Sequence, residues 1–368
     1  MTTTATAAIL REIGEPLTLE EVQVDAPGEG EVLVRMRGAG ICHTDATGMD
    51  GTIPLPLPSV LGHEGSGVVE AIGEGVTDLA PGDHVVLSFG HCGDCTYCNK
   101  DRPAYCEMFA PLNYFGTRMD GTVTMHQGDE DIHGCFFSQS SFATYAISLA
   151  TNTVKVAKDL PIELLGPLGC GLQTGAGTVL NVLRPETGES IAIFGMGGVG
   201  LSAVMAAKIA GCDPIIAVDI NDERLALARS LGATHTFNAK ETKDLVWEIM
   251  GVSAPGVHYA LDAVGTNEVI RQALESTRTP AVVATVGFQG LEHDITIDQG
   301  HLLVGRTLTG VIEGDSNPQD FIPALVEHYA NGEFPFDRLI KTFPFSQINE
   351  AFEAANSGAV VKPVLLFD

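Results

Sequence analysis

Basic residues are scarce in this 368-residue sequence, which holds 20 Lys and Arg against 47 Asp and Glu. A formal net charge of −27 repels phosphate backbones and anionic lipid headgroups. The charge therefore argues against a nucleic-acid-binding function and against attachment to an anionic membrane. The acidic residues are dispersed along the chain, so we attribute them to solubility or to a salty environment rather than to a binding site.

The sequence also lacks a secretory signal at its N-terminus, internal repeats and low-complexity tracts. Long uncharged stretches occur at 164–183 and 191–207, and they approach the roughly 20 residues that a membrane-spanning helix needs. Both stretches are rich in glycine and the first contains Pro167. We interpret them as turns that lead into buried elements, and we expect a cytoplasmic protein without a membrane partner.

Cysteine is used sparingly, and half of the eight cysteines form one short cluster, which consists of Cys92, Cys95, Cys98 and Cys106. Two-residue gaps let successive thiolates converge on one tetrahedral Zn²⁺. Disulfides would need an oxidising compartment, an iron–sulfur cluster usually has a trailing Cys-Pro, and a nucleic-acid-binding ribbon has basic surroundings. The spacing favours a closed structural zinc site over these alternatives.

Two domains are expected at this length, and the pattern changes between them. Residues 1–40 alternate in the manner of half-buried strands between Pro and Gly turns, which predicts an antiparallel β lobe. From residue 160 onward, apolar strands alternate with helices, which predicts a parallel sheet covered on both faces. We expect an irregular surface excursion over 107–138 and a final strand, 361–367, that returns to the first lobe. The fold class is therefore α/β.

A dinucleotide-binding fingerprint, Gly195-x-Gly197-x-x-Gly200, lies between a predicted strand and a predicted helix. Gly195 permits the tight turn, Gly197 allows close approach to a pyrophosphate, and Gly200 allows the helix to pack on the strand. Asp219 ends the next strand, where its carboxylate would bind the ribose hydroxyls and repel a 2′-phosphate. The pattern predicts NAD as cofactor, with contacts from Gly198, Val199 and Arg224, although the Arg224 guanidinium could offset part of the repulsion of NADP.

Four cysteines remain outside the cluster. Cys42 and Cys170 are flanked by glycines, and His63 occupies another Gly-rich turn. Two thiolates, one imidazole and an open fourth position are typical of a catalytic zinc site. Single Cys and His residues more often pack in a core or lie on the surface, so spacing alone leaves that interpretation open. Cys212 is interpreted as structural, and Cys135 is left unassigned.

These motifs together resemble those of the zinc-dependent medium-chain alcohol dehydrogenases over essentially the whole chain. The resemblance rests on Cys42-His-Thr-Asp45, on Gly62-His-Glu64, on the cysteine cluster and on the Gly195–Gly200 fingerprint. Segments 136–145, 164–174 and 334–337 resemble the aryl-alcohol (benzyl-alcohol) dehydrogenase branch. The resemblance implies a GroES-like catalytic domain, 1–171 and 314–368, and a Rossmann NAD-binding domain, 172–313.

The family pattern implies roles for individual residues of the catalytic domain. Cys42, His63 and Cys170 match the ligands of the catalytic zinc, and Asp45 matches the residue that holds the histidine ligand. Glu64 matches a buried acid behind the metal. Two zinc ions per subunit are therefore expected, one catalytic and one in the cysteine cluster.

The remaining implied roles concern the substrate and the cofactor. Thr44 matches the hydroxyl that contacts the substrate oxygen, and His43 matches a cationic contact to the pyrophosphate. Thr174 matches a neighbour of the nicotinamide, and Val286 and Lys362 are further expected cofactor contacts.

The resemblance also implies a reaction. Zinc lowers the pKa of an alcohol, Thr44 passes its proton towards the cofactor ribose, and hydride moves to the nicotinamide of NAD. The sequence departs from many relatives at Thr47, where they carry a histidine that ends the proton relay. The proton must then leave through water, or through His43.

Two other functions stay open at the sequence level. One is a thiol-adduct formaldehyde dehydrogenase on the same scaffold, and the other is a catalytically silent zinc- and nucleotide-binding protein. Apolar walls for an aromatic, allylic or terpenoid primary alcohol are expected from Phe89, Leu112, Phe115 and Phe137. We also expect a homodimer or homotetramer, because 307–312 has the pattern of an apolar edge strand.

Overall fold

The computed structural model describes residues 2–290 and 292–368, which form two compact units. The first unit contains the residues up to Gly171 together with Asn317–Leu325 and Asp337–Asp368, and the second contains Leu172–Ser316 and Val326–Phe336. Among the described residues, no helix combines the length and the apolar character of a membrane span.

Strands dominate the first half of the chain, and strands alternate with helices in the second half. The strands are β1 (Thr3–Leu10), β2 (Thr18–Val24), β3 (Glu31–Gly40), β4 (Ser59–Val60), β5 (Glu64–Ile72), β6 (His84–Leu87), β7 (Met125–Gln127), β8 (Glu130–Ile132), β9 (Tyr145–Leu149), β10 (Thr153–Val156), β11 (Ile191–Phe194), β12 (Ile215–Asp219), β13 (His235–Asn238), β14 (Val257–Asp262), β15 (Thr277–Thr285), β16 (Arg306–Gly310), β17 (Ile340–Pro344) and β18 (Lys362–Leu366). The α-helices are α1 (His43–Met49), α2 (Phe109–Tyr114), α3 (Gly171–Gly177), α4 (Gly198–Ala210), α5 (Asp222–Leu231), α6 (Leu245–Val252), α7 (Asn267–Glu275), α8 (Gln299–Leu303), α9 (Pro318–Ala330) and α10 (Ile348–Asn356).

The first unit is built on two sheets that are mostly antiparallel. One has the order β4-β1-β2-β7-β8, and the other has the order β10-β6-β5-β3-β18-β17, with β9 also paired to β3. The long strand β3 is central in the second sheet, because it pairs with β5, β18 and β9. Its Val and Leu side chains are buried. β18 pairs with the end of β3, with Val364 opposite Gly40, so the predicted return of the C-terminal strand to the first lobe is confirmed.

The second unit contains a parallel sheet in the order β13-β12-β11-β14-β15-β16. This order reverses beside β11, which is the arrangement of a doubly wound dinucleotide-binding sheet. Its central strands β11, β12 and β14 are largely apolar and buried, as expected of strands in a parallel sheet covered by helices. A core cluster including Phe194, Ile216, Ile249 and Val283 is buried between sheet and helices. The predicted α/β class is confirmed.

The predicted irregular excursion over 107–138 is wrong in part. The segment contains α2 and the hairpin of β7 and β8, and β7 pairs with β2. Strands of three residues are too short to show an alternating pattern in sequence, so pairing with β2, rather than local preference, determines this hairpin.

Candidate active site

The four thiols of the cysteine cluster converge in the first unit. Their ligand atoms lie within 4.8 Å of one another, with Sγ–Sγ distances of 3.5 Å for Cys92–Cys106 and 3.9 Å for both Cys92–Cys98 and Cys95–Cys106. Sulfurs at 2.3 Å from a central zinc ion are separated by about 3.8 Å. All eight cysteines are free thiols, and these separations fit a tetrahedral metal better than disulfides, whose sulfurs lie about 2.05 Å apart.

Backbone amides surround these sulfurs. The N–H of Glu107 donates to Cys95 Sγ at 3.5 Å, and the N–H groups of Cys92 and Met108 donate to Cys106 Sγ at 3.3 and 3.4 Å. Hydrogen bonds from the backbone of Cys98 and Glu107 lower the pKa of the Cys95 thiol to about 6. Burial raises the pKa values of the Cys92 and Cys98 thiols, so Cys95 is the thiol of this cluster that ionises most readily to become a metal ligand.

A second convergence brings together side chains that are far apart in sequence. Ligand atoms of Cys42, His63, Glu64 and Cys170 lie within 4.8 Å of one another. Cys42 precedes α1, His63 and Glu64 stand at the start of β5, and Cys170 lies immediately before α3. Three separate chain segments therefore build this group, which we call the catalytic quartet.

Asp45 holds two of the segments that build the quartet, those of Cys42 and His63. Its carboxylate is fully buried and accepts hydrogen bonds from His63 Nδ1 at 2.9 Å, Gly62 N at 3.1 Å and Cys42 N at 2.9 Å. Because Nδ1 donates to a carboxylate, the lone pair of the imidazole lies on Nε2. Asp45 thus fixes both the orientation and the tautomer of His63.

His63 Nε2 is buried and makes no hydrogen bond of good geometry in the described parts of the chain. An unsatisfied buried acceptor costs about 1–3 kcal/mol, and a metal ion would satisfy it. The Phe137 ring stacks on the imidazole with centroids 4.5 Å apart. Hydrogen bonding with the neighbouring Cys170 thiol lowers the pKa of the Cys42 thiol well below its ordinary value. The donor set fits a divalent metal such as zinc.

Behind the quartet, Glu64 forms a buried ion pair with Lys362. The Lys362 Nζ lies 2.8 and 2.9 Å from the two carboxylate oxygens and donates to the Ile41 carbonyl oxygen at 3.2 Å. Gly171 N donates to Glu64 Oε1 at 3.1 Å. Burial raises the pKa of Glu64 against the opposing effect of Lys362. In this structure the Lys362 ammonium binds the Glu64 carboxylate. The expected contact of Lys362 with the cofactor stays a prediction.

The residues after Cys42 lie on the first turn of α1. Thr44 Oγ1 is 3.8 Å from Cys42 Sγ, and His43 is exposed. Thr47 Oγ1 donates to the Thr44 carbonyl oxygen at 2.9 Å. The Thr47 hydroxyl is thereby used inside the helix, so this position does not offer a free group for proton transfer.

The fingerprint of the second unit has the geometry expected of a pyrophosphate-binding turn. Gly195 has a φ of 91°, and a Cβ at Gly200 would collide with the Gly195 carbonyl oxygen. A Cβ at Gly197, which caps α4, would meet no atom within 4 Å, so a ligand can approach the backbone here. Gly198 and Val199 form the first turn of α4, whose N–H groups are unpaired by the helix itself.

Asp219 lies beside that turn at the end of β12. One carboxylate oxygen accepts from Met196 N at 2.5 Å, and the other accepts from Ile220 N at 2.7 Å and Asn221 N at 2.8 Å. These backbone bonds hold the carboxylate next to the Gly-rich loop. Arg224 lies in α5, Thr174 in α3, and Val286 directly follows β15, all half-buried in the same unit.

The expected apolar walls and the spare cysteines lie in different surroundings. Phe137 adjoins the quartet, whereas Phe115 is 57% exposed and Leu112 lines a separate cavity of about 530 Å³ beside Cys92. Cys135 and Cys212 are buried, and burial raises the pKa of each thiol to about 12. Neither belongs to the two groups of metal-ligating residues found in the described chain, and the structural assignment of Cys212 stays a prediction.

Sequence reasoning missed three residues around the quartet. The sequence did not indicate that Lys362 pairs with Glu64. It also did not indicate the roles of Gln139, which donates to the His63 carbonyl oxygen, and of Ser88, which donates to the Gly169 carbonyl oxygen. A lone glutamine between aromatic residues in Phe136-Phe-Ser-Gln-Ser-Ser-Phe142 was the available signal, since a buried amide needs several partners.

Comparisons with known proteins agree on one family. Residues 28–158 match the alcohol dehydrogenase GroES-like domain, and residues 198–331 match the zinc-binding dehydrogenase domain. Geraniol dehydrogenase of Castellaniella defragrans is 46% identical over 365 residues, which cover 99% of this chain and 98% of that protein. A probable alcohol dehydrogenase of a Pseudomonas species is 46% identical over 75% of this chain and 88% of its own.

Solved structures agree over the full length of the chain. An alcohol dehydrogenase zinc-binding domain protein from Burkholderia ambifaria superposes with a TM-score of 0.98 at 48% identity, and benzyl alcohol dehydrogenase from Acinetobacter calcoaceticus superposes with a TM-score of 0.96 at 45% identity. In both cases all of this chain and all of the other chain are covered.

Proposed function

This chain belongs to the zinc-dependent medium-chain alcohol dehydrogenases, and on that premise we propose that it oxidises an aromatic, allylic or terpenoid primary alcohol reversibly to the aldehyde with NAD. The observation that carries the proposal is the catalytic quartet, where two thiols and a buried imidazole nitrogen converge. The names of the geraniol and benzyl alcohol relatives support the substrate class.

The first part of the proposed mechanism is metal binding. Cys42, His63 and Cys170 would hold the catalytic zinc, and the cysteine cluster would hold the second, structural zinc. When bound, the catalytic zinc supplies a Lewis acid for the substrate oxygen, and NAD supplies the hydride acceptor. Asp45 keeps His63 Nε2 as a lone-pair donor through its 2.9 Å bond to Nδ1.

The second part is proton movement by residues of the chain. The Thr44 hydroxyl would accept the proton of the alcohol while it donates its own proton onward. Thr47 offers no second relay group, because its hydroxyl donates to the Thr44 carbonyl oxygen. His43, which is exposed on the same turn, is proposed first as a pyrophosphate contact and second as an exit for that proton. Glu64 would help ligands exchange at the metal, with its charge balanced by Lys362.

The third part is cofactor binding in the second unit. Gly195, Gly197 and Gly200 would admit the pyrophosphate to the N-terminus of α4, with Gly198 and Val199 contributing backbone N–H groups. Asp219 would bind the adenosine ribose hydroxyls. Arg224, Thr174, Val286 and Lys362 are proposed as further cofactor contacts, and a cytoplasmic location stays a prediction.

The experiment that tests this function measures NADH formation with the purified chain over ethanol, hexanol, benzyl alcohol and geraniol. We expect kcat/KM for benzyl alcohol and geraniol to exceed that for ethanol by at least about tenfold, because each added apolar group is worth 10-fold or more in an apolar pocket. NADH formation only from formaldehyde mixed with a thiol would favour the thiol-adduct dehydrogenase. Absence of turnover with every substrate would favour the silent binding protein.

The cofactor arm of the same experiment uses Asp219→Ala. Removing hydrogen bonds to a charged acceptor costs about 1.5–3 kcal/mol, so we expect the KM for NAD to rise roughly 10- to 100-fold while the KM for NADP rises far less. Glu223→Ala removes the same charge from a neighbouring exposed position and is the matched control. Equal losses for NAD and NADP would contradict the ribose assignment.

We also propose that the chain forms a homodimer or homotetramer through β16. This strand is an edge of the parallel sheet, and Leu303 and Val304 just before it are 75% and 53% exposed. Sedimentation velocity should show a species of at least twice the 38.7 kDa chain mass, and Leu303→Asp should shift it towards the monomer. A single 38.7 kDa species at all protein concentrations would contradict this proposal.

A further inference from the structure

The segment that carries Phe137, whose ring stacks on His63, is a tight and unusual turn. Phe137, Ser138 and Ser140 have φ angles of 51°, 52° and 44°, a region that residues with a side chain rarely occupy. Such backbone persists only where surrounding contacts determine it. Here Ser138 Oγ donates to the Leu112 carbonyl oxygen at 2.7 Å and Ser140 Oγ donates to the Val60 carbonyl oxygen at 2.6 Å.

The turn directs Gln139 towards the backbone around His63. Its side chain is fully buried, its Nε2 donates to the carbonyl oxygens of His63 at 3.0 Å and Ser88 at 2.9 Å, and its Oε1 accepts from Gly65 N at 3.1 Å. One amide therefore ties the residues on both sides of Glu64 to the segment after β6. The buried amide is well satisfied, so it has one preferred position.

Ser88 extends this connection to a second ligand segment. Its Oγ donates to the carbonyl oxygen of Gly169 at 2.7 Å, and Gly169 directly precedes Cys170. A Cβ at Gly169 would collide with the Leu87 carbonyl oxygen, so this stretch lies tightly against the end of β6. A continuous path of polar contacts thus runs from His63 through Gln139 and Ser88 to the residue before Cys170.

We propose that Gln139 and Ser88 form a brace that sets the spacing of His63 and Cys170 and thereby holds the catalytic metal site in shape. Both are positioning residues, since each acts on the backbone of a ligand segment and not on the metal. The proposal rests on the assignment of His63 and Cys170 as zinc ligands. Loss of a group that orients metal ligands typically costs 10- to 100-fold in metal affinity, so the brace predicts an effect on metal retention.

The test compares zinc release from the zinc-loaded enzyme to the chelator 4-(2-pyridylazo)resorcinol. Gln139→Met keeps the length of the side chain but removes its hydrogen bonds, and Ser88→Ala removes only the bond to Gly169. We expect one of the two zinc ions to be released about 10- to 100-fold faster in Gln139→Met and less markedly faster in Ser88→Ala. The other zinc ion and the KM for NAD should stay within about twofold of wild type.

Thr124→Ala is the matched control, because it removes one buried hydrogen bond, to the Gly134 carbonyl oxygen, outside this turn and outside the ligand segments. Zinc release in Gln139→Met equal to that in Thr124→Ala, at equal loss of thermal stability, would overturn the brace. If Gln139→Met does not fold, Gln139→Glu and Ser88→Ala decide by the same comparison. A wild-type enzyme with one zinc ion, held by the cysteine cluster, would instead contradict the metal site on which the brace depends.

Discussion

Cys42→Ala is expected to release one zinc ion per subunit and to lower kcat/KM for a primary alcohol by on the order of 10³-fold or more. A metal Lewis acid contributes several kcal/mol of transition-state stabilisation, and each 1.36 kcal/mol corresponds to a factor of ten. The fold should survive, because Asp45 binds the backbone N–H of Cys42 and not its thiol. Metal analysis and steady-state NADH formation check the two effects.

The matched control for this change is Cys212→Ala. Cys212 is also a single free thiol, and it is buried in the second unit away from both groups of metal-ligating residues. Its substitution should leave the zinc content and kcat unchanged. Full turnover by Cys42→Ala would show that the catalytic quartet does not perform the reaction.

Cys95→Ala should act on stability instead of chemistry. Structural zinc contributes directly to folding free energy, and loss of a structural metal is among the few changes that cost more than about 4 kcal/mol. Cys95 is also the thiol whose pKa the backbone amides lower to about 6, so it is a ready anionic ligand. We expect a lowered zinc content and a large fall in the free energy of unfolding measured with denaturant.

Thr96→Ala is the control for the cysteine cluster, since Thr96 is exposed and adjoins Cys95 without joining the ligand set. It should unfold like wild type. A Cys95→Ala variant that unfolds like Thr96→Ala, or that loses turnover per folded molecule as completely as Cys42→Ala, would contradict the structural role of the cluster.

The second unit was the most predictable part of the chain, because its evidence is local. Apolar strands and helices alternate there, and the structure forms the parallel sheet and the helices that this alternation predicts. Gly195 has a positive φ, and Gly200 lies too close to the Gly195 carbonyl oxygen to carry a side chain. The spacing of the motif predicts both requirements. The cysteine cluster was predictable for the same reason, since its four ligands are neighbours in sequence.

The catalytic quartet was not predictable from spacing, because its ligands come from chain segments that only the fold brings together. Cys42 and Cys170 are separated by 128 positions, and they were linked through a family resemblance. The pairing of Glu64 with Lys362 depends on β18 lying beside β3, and the contacts of Gln139 depend on the left-handed turn before it. No local pattern reports such long-range pairings.

The most direct test of this account is zinc analysis of wild type and Cys42→Ala, carried out beside a benzyl alcohol assay on the same preparations. The account predicts two zinc ions per subunit with NADH formation in wild type, and one zinc ion with almost no NADH formation in a folded Cys42→Ala. Equal zinc contents in the two proteins, or turnover in Cys42→Ala close to that of wild type, would contradict it.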